Sequence, residues 1–185
     1  ECHAPSAIIT LLWEETKKQS LADGEDPGSE WQAQAFAYNA LWDLMIAALQ
    51  RDPSEAADSE EEDGWLAIHN ACKMHPPLEA ITALLNAYPD GAKATPEDTG
   101  QLPLHLAAGN GASVDVVKAL LEAYPEGAAQ LDRRPKLKWL PLHNAADDGA
   151  GADVVEALLG ANAAAAQVRD KAGRMPLHLA AISGV

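Results

Sequence analysis

The heptapeptide Leu102-Pro103-Leu104-His105-Leu106-Ala107-Ala108 returns as Leu140-Pro141-Leu142-His143-Asn144-Ala145-Ala146 and again as Met175-Pro176-Leu177-His178-Leu179-Ala180-Ala181. A looser copy, Leu66-Ala67-Ile68-His69-Asn70-Ala71-Cys72, precedes them. The four histidines stand 36, 38 and 35 residues apart, and a second marker keeps the same beat: the pairs Ala48-Leu49, Leu84-Leu85, Leu120-Leu121 and Leu158-Leu159. Leu11-Leu12 lies 37 residues before the first of these pairs, which carries the beat back to the start of the chain. Two markers in step describe about four and a half copies of one small unit, each too small to bury its own apolar face. Such a chain folds by stacking its units, and its interior is shared between neighbours.

Each unit reads as a helical pair. A Pro suits the first helical turn, where its missing N–H is no loss, and the His-x-Ala-Ala that follows makes a short helix whose small residues allow close packing. A break rich in Gly or Pro ends it: His75-Pro76-Pro77, Gly109-Asn110-Gly111 or Asp148-Gly149-Ala150-Gly151. Apolar residues then recur at helical spacing, as in Val116, Val117, Leu120 and Leu121 or Val154, Val155, Leu158 and Leu159, leaving Lys118, Glu122 and Glu156 for solvent. Tyr88-Pro89-Asp90-Gly91-Ala92 and Tyr124-Pro125-Glu126-Gly127-Ala128 close that second helix, and a polar loop leads to the next unit.

These residues resemble ankyrin repeats, whose pattern is a Thr-Pro-Leu-His-x-Ala-Ala helix, a Gly turn, a Val-Val-x-x-Leu-Leu helix and a protruding hairpin loop. The resemblance runs from Asp63 to Val185 and fades before it. Three departures stand out. Leu or Met replaces the Thr before Pro, the turn between helices is about one residue longer, and the Tyr-Pro segment extends the exit loop beyond the usual unit of about 33 residues. The hydroxyl that would orient the motif histidine is therefore missing. The resemblance implies an all-α fold, an ankyrin-like solenoid of stacked helix-turn-helix repeats; whether its loops keep regular hairpin hydrogen bonding is left open. Residues 63–185 hold about three full units and a partial C-terminal one, and residues 1–62 hold degenerate helical repeats with acidic loops.

Within the first third, Ala7 to Trp13 reads as a second helix without its partner, Leu21 to Ser29 as a loop, and Trp31 to Gln50 as a degenerate helix pair. The chain starts Glu1-Cys2-His3, with no initiator Met and no basic-then-apolar signal segment, which reads as a processed or truncated piece. It stops at Gly184-Val185 inside an unfinished unit, so either more chain follows or the last helix serves as a partial cap.

Composition narrows the function classes. Ala and Leu dominate the apolar content, while Phe appears once and Tyr three times, which suits close helix packing better than a β-sandwich. The formal net charge of −15 is concentrated, with −12 in residues 1–63 and −3 in the rest. Nucleic acid and anionic membrane surfaces, bound chiefly through Lys and Arg, would be repelled. No run approaches the roughly 20 apolar residues of a membrane span. Cys2 and Cys72 lack a framework spacing, and an intracellular, reducing compartment is expected, cytoplasm or organelle interior.

Successive motif histidines sit about 8 to 10 Å apart on packed helices and cannot meet one zinc ion, whose ligands lie near 2 Å, so they are expected to bond loop backbone. Asp147-Asp148 has no nucleophile or matching base nearby and reads as a solvated helix end. Glu60-Glu61-Glu62-Asp63-Gly64 fails as a calcium loop, because Asn70 would fall where a bidentate Glu is needed. Gly109-x-Gly111 separates two helices and is no nucleotide fingerprint. The expectation is therefore no catalytic residue, no metal and no cofactor.

Protein recognition remains. By position in the resembled repeats, partner contacts would come from Asn70, Lys73, Leu106, Gly109, Asn110, Asn144, Asp147 and Asp148 on the first helices and from the loop residues Glu97, Asp98, Gln101, Arg133, Arg134 and Lys138. Arg133-Arg134-Pro135-Lys136-Leu137-Lys138-Trp139 is a basic loop in an acidic protein. Either it meets an acidic partner surface with Trp139 among the contacts, or Trp139 fills the core and the cations offset the chain's own acidic part. The acidic segment Asp52 to Asp63 either docks a basic protein or keeps a loop soluble. Three functions follow in order: an interaction module or adaptor, a structural subunit held in a larger and perhaps organellar or membrane-associated complex, and a regulatory repeat segment of a longer enzyme.

Overall fold

The computed structural model of the chain describes residues 27–59 and 64–184. Among them lie eight α-helices: α1 (Pro27–Arg51), α2 (Ala67–Cys72), α3 (Leu78–Ala87), α4 (Pro103–Gly109), α5 (Val114–Ala123), α6 (Pro141–Asp147), α7 (Ala152–Ala161) and α8 (Pro176–Ser183). The longer helices α1, α3, α5 and α7 run into short 3-10 turns at Pro53–Ala56, Pro89–Lys93, Pro125–Ala129 and Ala163–Gln167. No strand forms among the described residues, and Ser59 and Leu66 make an isolated antiparallel bridge.

Local chemistry explains the short helices. Pro103, Pro141 and Pro176 occupy the first turn, each after an extended Leu or Met at the N-cap. Those N-cap side chains have no acceptor, so the motif histidine caps from inside the helix. Its Nδ1 accepts the N-cap backbone N–H in all four units: Leu66 to His69 and Leu102 to His105 at 3.1 Å, Leu140 to His143 and Met175 to His178 at 3.2 Å. In the neutral ring this places the proton on Nε2, which in His69 donates to the Ala94 carbonyl at 2.9 Å and in His105 to the Trp139 carbonyl at 3.1 Å. The histidine that lacks its usual threonine is thus held by a backbone N–H of its own helix, and in His69 and His105 it also ties the short helix to the end of the loop that follows.

The turn between paired helices needs a left-handed residue, and Gly111 and Gly149 supply it at φ 70° and 69°. His75 holds the equivalent place at φ 46°, and its Nδ1 lies 3.1 Å from the Gly111 carbonyl of the next unit. Beyond the turn, Val116, Val117 and Leu120 of α5 and Val154 and Leu158 of α7 are buried, while Lys118, Glu122 and Glu156 face solvent.

The helices assemble in two rows. The short helices α2, α4, α6 and α8 pack successively in one, and α1, α3, α5 and α7 in the other. A single core of Leu, Ala, Val and Ile side chains runs between the rows from Trp42 and Met45 of α1 to Ala165. The first third differs from expectation here. Residues 31–50 form no helix pair but one continuous α1, because nothing between Ser29 and Arg51 is Gly or Pro and six of those residues are Ala. Residues 27–29, assigned to a loop by the sequence, begin that helix. The helix read at Ala7 to Trp13, the rest of that loop and Glu60 to Asp63 lie outside the described residues.

Among the described residues the exit loops carry no ladder. Asp132 N–H bonds the Trp139 carbonyl at 2.9 Å and Asp170 N–H the Arg174 carbonyl at 2.8 Å, closing each loop once. Arg133 N–H bonds the Thr99 carbonyl at 2.9 Å and Lys171 N–H the Leu137 carbonyl at 3.0 Å, lashing each loop to the one before it. Gly100 makes the first of these joints possible. Its φ is +60°, and a Cβ there would collide with the Arg133 stem lying across it. Gly100→Ala is expected to lower unfolding free energy by about 1 to 2 kcal/mol. An unshifted urea midpoint with an unchanged slope would contradict this seat.

Candidate partner-binding cleft

Where the C-terminal ends of α2, α4 and α6 meet the loops, the stack leaves a polar cleft of about 450 Å³ lined by Lys73, Gln101, His105, Leu106, Gly109, Asn110, Arg134, Trp139, Asn144, Asp147 and Asp148. Ten of these were singled out from the sequence. Asn70, Glu97, Asp98, Arg133 and Lys138 were singled out too and do not line it; of these, Glu97, Asp98, Arg133 and Lys138 are exposed on the loops and Asn70 is half-buried on α2.

The lining divides into floor and rim. Gln101, His105, Leu106, Trp139 and Asn144 are buried, and their polar atoms are largely spent inside the fold. Asn144 Nδ2 donates to the His105 carbonyl at 3.1 Å, joining α6 to α4, while its Oδ1 accepts Arg134 Nη2 at 2.8 Å. Arg134 also pairs with the buried Asp132 carboxylate. Asn144 and Arg134, expected as contacts, thus also hold the cleft walls together.

Trp139 requires a correction. Of the two roles weighed for it, the structure shows the core one: it is 6% exposed, with its N–H bonding Asp132 Oδ1 at 3.0 Å and its indole N–H bonding Asp170 Oδ2 at 3.1 Å. Its ring stacks on His143 at 6.4 Å between centroids, and the Arg134 guanidinium lies 4.9 Å from the ring centre. Asp170 in turn accepts the Ala172 and Arg174 N–H groups and the Arg174 side chain. Burial pushes its carboxyl up, but these donors outweigh it and hold the carboxyl at about 2. Asp132 and Asp170 were missed by sequence reasoning. For Asp170 the signal was there, since Asp-x-x-Gly is a turn in which the carboxylate binds backbone two residues on.

The rim is open. Asn110 is exposed with Nδ2 bonding the Leu106 carbonyl at 2.7 Å, Asp147 is half-buried and Asp148 exposed. Partial burial, then Asp147 alongside, raises the Asp148 carboxyl against the pull of Arg134. Both carboxylates sit at the C-terminal end of α6, where the helix's own carbonyls disfavour negative charge. Across the cleft, Lys73 rests its ammonium 3.5 Å from the centre of the Trp65 ring. Gly109 keeps the walls close, because a Cβ there would lie 2.8 Å from Asp148 Oδ2 and 3.0 Å from Asn144 Cβ.

A family model for ankyrin repeats in three copies matches residues 33–134. The chain belongs to the ankyrin repeat family. The match begins within α1 and ends within the basic loop, and the units of His143 and His178 continue the same motif beyond it. No curated protein matches the chain. Ankyrin repeats are generally protein-interaction modules, and among the described residues of this one no helix is long and apolar enough to cross a membrane.

Proposed function

We propose that the chain is an interaction module that holds a partner protein between the cleft rim and the protruding loops and performs no chemistry of its own. The observation that carries this reading is the cleft itself. Three successive units contribute its rim, Lys73, Asn110 and Asp147 with Asp148, on a floor where His105, Trp139 and Asn144 already have hydrogen-bond partners within the fold. Such a surface loses little freedom on binding, which is what a stacked scaffold supplies best. The one cysteine described, Cys72, is fully buried and its thiol is pushed up by that burial, which makes it a packing residue rather than a nucleophile.

Adding positive charge to the rim tests the reading. Asp147→Lys with Asn110→Arg changes exposed or half-exposed side chains at the helix ends and is expected to leave the unfolding midpoint nearly unchanged. A partner captured from native extract by the wild-type chain, identified and then titrated as a pure protein, should bind this variant at least about tenfold more weakly. Equal affinity for both proteins would remove the cleft from the interface.

A further inference from the structure

The two loops after α5 and α7, residues 130–139 and 168–175, carry seven basic and two acidic side chains, whereas the whole chain has a net charge of −15. The fold sorts these charges. Both acids are buried and each holds one arginine inward, Asp132 with Arg134 and Asp170 with Arg174. The other five cations, Arg133, Lys136, Lys138, Arg169 and Lys171, are exposed, and none of them forms an ion pair among the described residues.

The patch is built to stay in place. Lys171 N–H binds the Leu137 carbonyl at 3.0 Å and its ammonium binds the Pro135 carbonyl, which joins the two loops. Trp139 bonds to Asp132 in one loop and Asp170 in the other. The Arg133 stem is seated over Gly100, and Lys138 is held at φ 54°, a left-handed conformation that a lysine adopts only where its surroundings impose it. Solvated lysines left to themselves gain nothing from such ordering, whereas a ligand that needs several cations at fixed places does.

We infer that these two linked loop tips hold an acidic segment of the partner protein, a short run of Glu and Asp side chains. This rests on the reading that the chain binds a partner. Size and surroundings favour a short acidic peptide over nucleic acid. Duplex DNA carries a charge about every 1.7 Å along its axis and would extend past the patch toward the acidic remainder of the chain, beginning with the exposed Glu97 and Asp98 on the adjoining loop. A short segment satisfies the five cations and stops.

The probe is a short fluorescein-labelled Glu/Asp-rich peptide, with a single-stranded DNA of equal charge beside it, followed by anisotropy at low salt. The peptide is expected to bind, to weaken steeply as salt rises, and to bind at least about tenfold more weakly to the Arg133→Glu, Lys136→Glu, Lys138→Glu variant than to wild type. Charge-neutral Lys136→Gln with Lys138→Gln should fall between, and circular dichroism of all variants should match wild type. The rim variant Asp147→Lys, Asn110→Arg should keep full peptide affinity. No peptide binding, equal binding by the reversed variant, or DNA binding as tight as the peptide would each overturn the inference. Loss of peptide binding with partner capture intact would overturn this inference alone, leaving the cleft reading standing.

Discussion

Acidifying the folded chain from pH 7 to pH 5 is expected to remove about 4 kcal/mol of unfolding free energy, before any carboxylate contributes. His69 and His105 carry this loss. Burial, the larger cause, lowers each from 6.5 to about 4, against the smaller pull of the Ala94 carbonyl and Asp98 on His69 and of Asp132 and the Trp139 carbonyl on His105. Geometry gives the same answer, because Nδ1 already accepts a backbone N–H and a proton added there would face a donor. In the unfolded chain both rings take up protons near pH 6.5, so between about 6.5 and 4 the unfolded state binds more protons and stability falls as pH falls. Each ring contributes on the order of 2 kcal/mol at pH 5 and about 3 kcal/mol once pH reaches 4. His143 shifts in the same direction for the same reason. Asp170, held at about 2, loses its stabilising contribution only as pH drops through the carboxylate range, so the two windows are separable. Urea titrations across pH 7 to 4.5 check this; His105→Gln should start less stable and lose about half as much on acidification. A free energy flat over that interval would mean the rings are not held neutral in the core.

Trp139→Ala should be the most damaging single change in the described fold, at about 3 to 5 kcal/mol. The ring is buried against His143 and its indole N–H bonds to Asp170, while the bond to Asp132 comes from the backbone, so removal of the ring leaves a cavity and strips the indole donor from Asp170. Trp139→Phe separates the two effects, since it refills most of the volume and costs roughly 1 to 3 kcal/mol for the carboxylate that loses its donor. Denaturant unfolding gives both values, and amide exchange should show the loops at 130–139 and 168–175 opening together in Trp139→Ala. If the alanine variant lost under 1 kcal/mol, the ring would not be the rivet between loops that its hydrogen bonds describe.

Much of the cleft was legible beforehand because repetition turns one position into four. The residue after each motif histidine and those after Ala-Ala share one face of successive short helices, and the structure gathers Lys73, Leu106, Gly109, Asn110, Asn144, Asp147 and Asp148 into one lining. Their exposure was not legible. Leu106 and Asn144 lie on the right face but in its floor, since whether a side chain reaches solvent depends on how closely the next helix packs. Trp139 shows the same limit: its neighbours in sequence are basic and solvated, yet its partner Asp170 lies 31 residues away.

The sequence alone determined the unit length, the helix starts and the turns, because each depends on groups within a few residues of one another. A proline at the first helical position, a histidine reaching three residues back to the N-cap N–H, and glycines at φ near 70° leave the local backbone little choice. Only the tertiary structure decided which charges of the two basic loops turn inward to Asp132 and Asp170 and which five stay in water. The ion pairs themselves are local, Arg134 with Asp132 and Arg174 with Asp170, but the loops are joined by contacts more than thirty residues apart along the chain, Trp139 to Asp170 and Lys171 to Pro135, and such distances have no local imprint in the order of the residues.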